Sequence, residues 1–202
     1  MIDVARYGMV INLALCMRCS ACMVACKTEH QIPTGKHAGH EYYRISVLEY
    51  EQGKYPTVKR VFAPVLCMQC EIAPCIDVCP IPDAIYRRED GIVVVNQEKC
   101  NGCKLCMQVC PYGALYFDEE RRVVDKCDFC ADRFDQGLEP ACVATCMSRA
   151  MVFGDLDDPA SEVSRLVKRN DVKPDRPLFP PYFSQVFKPS VYYTEEIASN
   201  LV

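Results

Sequence analysis

All sixteen cysteines of this 202-residue chain fall into four groups of four, and thiolates grouped in this way are ligands for metal clusters. The groups, called quartets one to four below, are Cys16, Cys19, Cys22 and Cys26; Cys67, Cys70, Cys75 and Cys79; Cys100, Cys103, Cys106 and Cys110; and Cys127, Cys130, Cys142 and Cys146. A cubane 4Fe–4S cluster is held by four cysteine thiolates. The sequence therefore predicts four complete 4Fe–4S clusters in a protein that carries electrons and catalyses no reaction by itself.

The spacing within the quartets favours iron–sulfur ligation. Quartet three reads C-x2-C-x2-C-x3-C-P from Cys100 to Pro111, the run of bacterial ferredoxins in which the fourth cysteine binds a second cluster. Quartet one has the same spacing, whereas quartet two contains C-x4-C and quartet four contains C-x11-C. Three closely spaced thiolates can wrap three corners of one cube, while the fourth begins the next element and points away. We therefore expect the quartets to exchange their last ligands in pairs.

Two other uses of cysteine compete with this interpretation. Structural zinc also takes four thiolates, but usually as two pairs from separated loops. Disulfide scaffolds are typically short and secreted, whereas the N-terminal sequence lacks the features of a secretory signal. The alternative outside electron transfer is thus a scaffold for protein interactions that is held together by zinc. Absence of any redox activity would support it.

The remaining composition argues against several classes of function. The formal net charge is −4, and no basic stripe suggests a nucleic-acid partner. No phosphate-binding glycine loop, nucleophile elbow or zinc-protease motif is present. His30, His37 and His40 are expected to be solvent-exposed loop residues. Glu71 and Asp77 are expected to be polar loop residues rather than catalytic acids. No stretch of about 18 consecutive apolar residues occurs, so no membrane span is predicted.

Basic side chains adjoin the quartets, and two interpretations of them remain open. They are Arg18, Lys27, Lys99, Lys104, Lys126, Arg133 and Arg149. Either these residues are ordinary surface charges, or some of them donate hydrogen bonds to cluster sulfurs or raise the local reduction potential.

Short strands and helices must position the cysteine loops, in a repeating order of strand, loop and short helix. Apolar and β-branched runs predict strands at residues 9–15, 42–50, 58–65, 91–96, 115–117, 123–125 and 150–153. The charged segment 118–122 joins two of these strands into a hairpin. Residues 28–41 are expected to form a loop. Asp158 and Pro159 predict the start of a helix that ends near Asn170.

The C-terminal segment from Pro174 onward differs from the rest. It contains five prolines and six aromatic residues. Repeated proline predicts an extended segment without regular structure, yet so many aromatic residues are unusual in a disordered tail. The segment is expected either to wrap its own domain or to pack on a partner subunit.

The quartets carry a resemblance to a known family. The chain resembles, over about residues 6–169, the four-cluster iron–sulfur electron-transfer (beta) subunits of the DMSO reductase family of molybdenum or tungsten oxidoreductases. The resemblance rests on the four quartets with these gaps, on YRREDGIVVV and CPYGA around quartet three, on KCDFCADR in quartet four, and on GDLDDP after it. GDLDDP and ACKTEH favour the polysulfide, thiosulfate and arsenate branch. Cys146 lacks the following proline that many members have.

This resemblance implies an α+β fold of two tandem ferredoxin-like halves, each with two clusters. The inner half would be residues 57–119, and the discontinuous outer half residues 1–56 with 120–173. The proline-rich segment described above adds an extended arm at residues 174–202. Quartet one would share ligands with quartet four, and quartet two with quartet three. The implied ligands are Cys16, Cys19, Cys22 and Cys146 for cluster A; Cys26, Cys127, Cys130 and Cys142 for cluster B; Cys67, Cys70, Cys75 and Cys110 for cluster C; and Cys79, Cys100, Cys103 and Cys106 for cluster D.

The resemblance also implies partners. The cluster A end would face a molybdopterin (molybdenum or tungsten) catalytic subunit, and the cluster D end an integral membrane subunit that exchanges electrons with quinone. The complex would be peripheral to the cytoplasmic membrane. The periplasmic face is favoured over the cytoplasmic face, and this subunit would reach it by export together with a partner. Two alternatives remain within electron transfer. The chain could be the electron-transfer subunit of a hydrogenase or of a cytosolic formate dehydrogenase, or it could be a free polyferredoxin.

Overall fold

A computed structural model describes residues 5–37, 40–169, 172–174 and 178–195. The strands are β1 (Tyr7–Asn12), β2 (Lys36–His37), β3 (His40–Glu41), β4 (Ile45–Gln52), β5 (Lys59–Leu66), β6 (Ile85–Arg87), β7 (Val93–Val95), β8 (Leu115–Asp118), β9 (Val123–Lys126), β10 (Met151–Asp155) and β11 (Val191–Thr194). The helices are α1 (Ala21–Glu29), α2 (Pro74–Asp77), α3 (Leu105–Val109), α4 (Ala131–Phe134), α5 (Ala141–Ala144), α6 (Glu162–Val167) and α7 (Tyr182–Phe187). This mixture agrees with the predicted α+β class.

The strands form small sheets. β1 lies in the middle of a three-stranded sheet, antiparallel to β10 and parallel to β11. The pairs β4–β5, β6–β7 and β8–β9 are antiparallel, as is the short pair β2–β3. Each strand predicted from the sequence is confirmed within a few residues. β6 was missed because three residues are too few to show a period of two.

The predicted boundaries of two segments are wrong. α6 begins at Glu162 instead of Pro159, because the Asp158 carboxylate accepts a hydrogen bond from the Ala160 amide at 2.8 Å and closes a separate turn. The helix ends at Val167, and the predicted end at Asn170 lies outside the described residues. Residues 28–41 are not entirely a loop, since α1 extends to Glu29 and β2 pairs with β3.

The C-terminal segment is not simply extended, because its described part contains α7 and β11. Pro181 precedes α7 and Pro189 follows it, so neither interrupts the hydrogen bonds of the helix. Tyr193 on β11 is fully buried, and its hydroxyl donates to the Pro64 carbonyl at 3.1 Å. Phe179 and Phe183 pack edge-on against Tyr112, just after quartet three. The described part of the segment therefore wraps its own domain, one of the two predicted alternatives.

The core is built largely around the cysteines. Buried cysteines of all four quartets lie in the main hydrophobic cluster together with side chains such as Ile11, Ala63 and Ile92. A smaller cluster forms where α6 covers β1, around Val10 and Val163. Within the described residues, no helix combines the length and the apolar character needed to cross a membrane.

Candidate metal centres

The four cysteine loops share one backbone feature. The residue before the second cysteine of each quartet has a positive φ: 56° at Arg18, 49° at Gln69, 70° at Gly102 and 55° at Phe129. The left-handed conformation costs a residue other than glycine about 1–2 kcal/mol. At Gly102 a Cβ would also lie 2.5 Å from the Arg122 carbonyl oxygen. This shared turn reverses the chain sharply, so that the cysteines of one loop can face a common space.

The thiols predicted for cluster A lie close enough for their charges to interact. Burial first, and then the charges of Cys16, Cys19 and Cys146, raise the pKa of Cys22 to about 11. The pKa of Cys16 is also raised by burial and by Cys146 and Cys19, although the Arg18 amide opposes this by donating a hydrogen bond. The Ala150 amide donates to the Cys146 sulfur at 3.3 Å. Quartets one and four thus meet here.

The thiols predicted for cluster B are also neighbours. Burial raises the pKa of Cys142, and the charges of Cys130 and Cys26 raise it further. The pKa of Cys26 rises to about 12, again through burial first and Cys130 next. Cys127, which is buried, has its pKa raised by burial, by Asp128 and then by Cys26. Cys26 of α1 therefore lies among thiols of quartet four.

Quartets two and three meet in the same crossed manner. Cys67, Cys70, Cys75 and Cys110 line one cavity, the first three from quartet two and the last from quartet three. Burial and then the charges of Cys67, Cys110 and Cys75 raise the pKa of Cys70.

The fourth group surrounds Cys106. Burial raises its pKa to about 12, and the charges of Cys75, Cys100, Cys103 and Cys79 contribute in that order. Of the cysteines that act on Cys106, Cys79 and Cys75 come from quartet two and the others from quartet three. Cys75 also lines the cavity described above with Cys67, Cys70 and Cys110.

The four groups adjoin one another in a series. Burial is the largest cause of each raised pKa, and a thiolate of an adjoining group also contributes, from Cys22 to Cys142, from Cys67 to Cys127 and from Cys75 to Cys106. These three links give the order A, B, C, D. The ends of the series reach the surface, since Cys19 and Cys103 are exposed.

The chemistry of these groups fits iron–sulfur ligation. A raised pKa means that a thiol stays protonated unless a positive charge favours the thiolate, and a bound metal supplies that charge. Among the described residues, no three histidine, cysteine or acidic side chains converge on the position of a single metal ion.

A buried ion-pair network borders the cluster B thiols. The Arg44 guanidinium, 9% exposed, donates hydrogen bonds to both carboxylate oxygens of Asp125 and to one carboxylate oxygen of Asp128, each at 2.9 Å. Tyr116 donates to Asp125 at 2.6 Å. Burial alone would raise the pKa of Asp128, but the charge of Arg44 holds it below its usual range. Arg44 was missed by the sequence reasoning, because a single arginine at the start of a strand shows no pattern.

His30 is not the solvent-exposed residue that the sequence predicted. It is half-buried, with Nε2 3.1 Å from the Cys130 sulfur and Nδ1 3.0 Å from an Arg44 nitrogen. Because a guanidinium only donates hydrogen bonds, Nδ1 must accept, so Nε2 carries the hydrogen and donates towards Cys130. Burial and the Arg44 charge lower the pKa of His30. The side chains of His37 and His40 lie outside the described residues.

The other predicted polar residues divide between surface and interior. Glu71 forms exposed ion pairs with Lys188 at 2.9 Å and Arg6 at 3.5 Å, as expected of a polar loop residue. Lys99 pairs with Asp83 at the surface. Arg133 pairs with Glu29, and Arg18 with Glu49. Lys27 and Lys104 lie over the rings of Tyr43 and Phe117. In contrast, Lys126 is only 1% exposed.

Comparison with known proteins supports 4Fe–4S ligation in this chain. The family model described as a 4Fe-4S dicluster domain matches residues 58–156. The chain is 40% identical over 167 residues to the B subunit of tetrathionate reductase from Salmonella typhimurium, covering 82% of this chain and 64% of that protein. It is 40% identical over 190 residues to the B component of polysulfide reductase from Wolinella succinogenes, covering 93% of both. It is 36% identical over 211 residues to the arsenate respiratory reductase iron-sulfur subunit of a Shewanella species, covering 81% of this chain and 87% of that protein.

Proposed function

Because this protein belongs to the family of iron–sulfur electron-transfer subunits of DMSO reductase-type respiratory reductases, we propose that it relays electrons through four 4Fe–4S clusters in series. As in that family, it is not catalytic alone. The observation that carries the proposal is the crossed grouping of thiols from quartets one and four and from quartets two and three. A bound 4Fe–4S cluster accepts and releases an electron. The chain supplies the ligands, the burial and the order of the clusters.

We propose the ligand sets A to D given above. Their support is the set of neighbouring thiols around Cys22, Cys142, Cys70 and Cys106. Chemical analysis of anaerobically purified protein tests the cluster number: about 16 iron and 16 sulfide per chain are expected. Four zinc ions without sulfide would contradict the proposal and favour the interaction scaffold.

The proposed docking sites are the two exposed ends of the series, and the family resemblance assigns a partner to each end. Met17 and Met147, 57% and 75% exposed, adjoin Cys16 and Cys146 of cluster A in the sequence, and Leu105, 37% exposed, adjoins Cys106 of cluster D. We propose that a molybdopterin subunit docks at the first end and an integral membrane, quinone-linked subunit at the second. Mass spectrometry of proteins that co-purify from gently solubilised membranes tests this. A nickel hydrogenase subunit in their place would overturn it.

The Cys103→Ser variant tests the order of the clusters within the assembled complex. One EPR-visible centre should be disturbed, and turnover with quinol should slow more than turnover with an artificial donor that bypasses cluster D. Cys19→Ser at the opposite end is the matched variant, because both cysteines are exposed. Equal losses in the two assays for Cys103→Ser would contradict cluster D as the quinone-side terminal.

We propose that the complex is peripheral to the cytoplasmic membrane and lies on its periplasmic face, the side that the family resemblance favours. Protease treatment of spheroplasts tests the face. Digestion of this protein without lysis is expected, and protection until lysis would place it on the cytoplasmic side.

A further inference from the structure

Lys126, at the end of β9, is a cation enclosed by the protein. Its side chain is 1% exposed, and its ammonium donates to the carbonyl groups of Val93 and Cys127, the latter at 3.0 Å. Two neutral carbonyl groups satisfy hydrogen bonds but do not neutralise a charge. Burying an ammonium without a counter-ion is unfavourable, so a counter-charge is required nearby.

The described residues offer Lys126 no carboxylate at ion-pair distance. Its neighbour Asp125 projects from the other face of β9 and is bound by Arg44 and Tyr116. Asp128 experiences the Lys126 charge only at longer range, and its carboxylate is held by Arg44. The acidic groups of this region are therefore committed to Arg44.

The surroundings of Lys126 point to thiolates as the counter-charge. Lys126 lines the cavity that contains Cys67, Cys70, Cys75 and Cys110. The cavity thus places the Lys126 side chain beside four thiols, the ligands proposed for one cluster.

A second buried side chain binds the backbone of the same two residues, Val93 and Cys127. Gln69, also 1% exposed, donates to the Cys127 carbonyl at 2.8 Å and accepts from the Val93 amide at 2.7 Å. Gln69 belongs to the loop of quartet two, and Cys127 to quartet four. Lys126 and Gln69 thus share the Cys127 carbonyl where the predicted inner and outer halves meet.

We propose that Lys126 is the internal counter-ion of the cluster held by Cys67, Cys70, Cys75 and Cys110, and that it raises the reduction potential of this cluster. The inference rests on the proposed ligand sets. Four thiolates outweigh the charge of the iron–sulfide core, so the cluster is a net anion and each added electron makes it more negative. A fixed cation in a low-dielectric site favours the reduced state. Lys126 therefore eases electron transfer into the middle of the series.

The test is an anaerobic redox titration of the purified holoprotein, followed by EPR, for Lys126→Gln and Lys126→Arg. Glutamine keeps a donor for the two carbonyl groups but removes the charge, and arginine keeps the charge. Lys126→Gln should shift one of four centres to lower potential, and Lys126→Arg should shift it much less. Lys99→Gln is the matched control, because Lys99 also precedes a quartet cysteine but is exposed and paired with Asp83. It should leave all four potentials unchanged.

Four unchanged potentials in a Lys126→Gln protein with full iron content would overturn the inference. If Lys126→Gln does not retain four clusters, iron and sulfide analysis of Lys126→Arg decides. If the Lys126→Arg protein holds four clusters and the Lys126→Gln protein holds fewer, cluster binding requires the positive charge at this position. If both proteins lose clusters, cluster binding requires the shape of the lysine side chain, and the inference is overturned. The iron and sulfide content of the wild-type protein separately reports whether the proposed four clusters exist.

Discussion

The guanidinium of Arg44, just before β4, is connected to the segment around β9 through the buried carboxylate of Asp125 and the partly buried carboxylate of Asp128. An Arg44→Met variant keeps most of the side-chain volume but leaves Asp125 and Asp128 without their partner. Removing one partner of a buried ion pair costs about 3–5 kcal/mol. We expect the free energy of unfolding to fall by this amount, measured anaerobically as a lower denaturant midpoint for loss of the cluster absorbance.

Arg60→Met is the matched control for Arg44→Met. Arg60 pairs with Glu49 at 3.0 Å and Glu51 at 3.4 Å, but its side chain is 58% exposed. Exposed pairs contribute less than about 1 kcal/mol, so this midpoint should barely change. Equal midpoints for the two variants would mean that burial of the Arg44 network does not matter.

The difference between the cysteines and Arg44 shows which residues a sequence can identify. Iron–sulfur ligands come from loops in which most neighbouring cysteines are separated by two or three other residues, so their function is visible as a local pattern. Arg44 meets Asp125 across 81 positions of the chain, and no local pattern encodes that contact. His30 was misjudged for the same reason, since its partner Cys130 is 100 positions away.

At the scale of elements, local pairing was predictable and distant pairing was not. The hairpin of β8 and β9 could be predicted, because a charged turn separates two short apolar runs. The parallel pairing of β11 with β1 could not, because it joins residues near opposite ends of the chain. The prolines were over-interpreted, since Pro181 and Pro189 flank α7 without entering it.

Tyr193 tests whether β11 contributes to stability. The residue is fully buried on β11 and its hydroxyl reaches the Pro64 carbonyl. Tyr193→Ala should lower the free energy of unfolding by about 3–5 kcal/mol, as for other buried aromatic residues. Tyr193→Phe removes only the hydrogen bond and should cost about 1 kcal/mol. Denaturant midpoints of the holoprotein measure both effects.

Tyr182→Ala is the control for the same segment, because Tyr182 lies on α7 and is 59% exposed. Its effect should stay within about 0.5 kcal/mol. If Tyr193→Ala and Tyr182→Ala behave alike, packing of β11 against β1 does not stabilise the protein.

At the scale of the whole molecule, the elements are too small to be stable individually. Within the described residues, four of the five sheets have two strands, and the longest helix, α1, has nine residues. Isolated two-stranded hairpins, and helices shorter than about 12–15 residues, are marginal in water. The thiol groups connect segments distant in sequence, such as Cys22 with Cys146 and Cys70 with Cys110. Bound clusters would therefore crosslink the fold.

Removal of iron should consequently unfold most of the chain. If the chain stayed folded without metal, burial would hold the pKa values of Cys22, Cys75 and Cys106 at about 11, 11 and 12, so these thiols would be protonated and unlinked at neutral pH. Since ligation and folding are coupled in small metal domains, the apoprotein should show no cooperative thermal transition by circular dichroism. Anaerobic reconstitution with iron and sulfide should restore it. An apoprotein that melts cooperatively at the temperature of the holoprotein would show instead that the short sheets and helices hold the fold by their own packing. The clusters would then contribute nothing to stability.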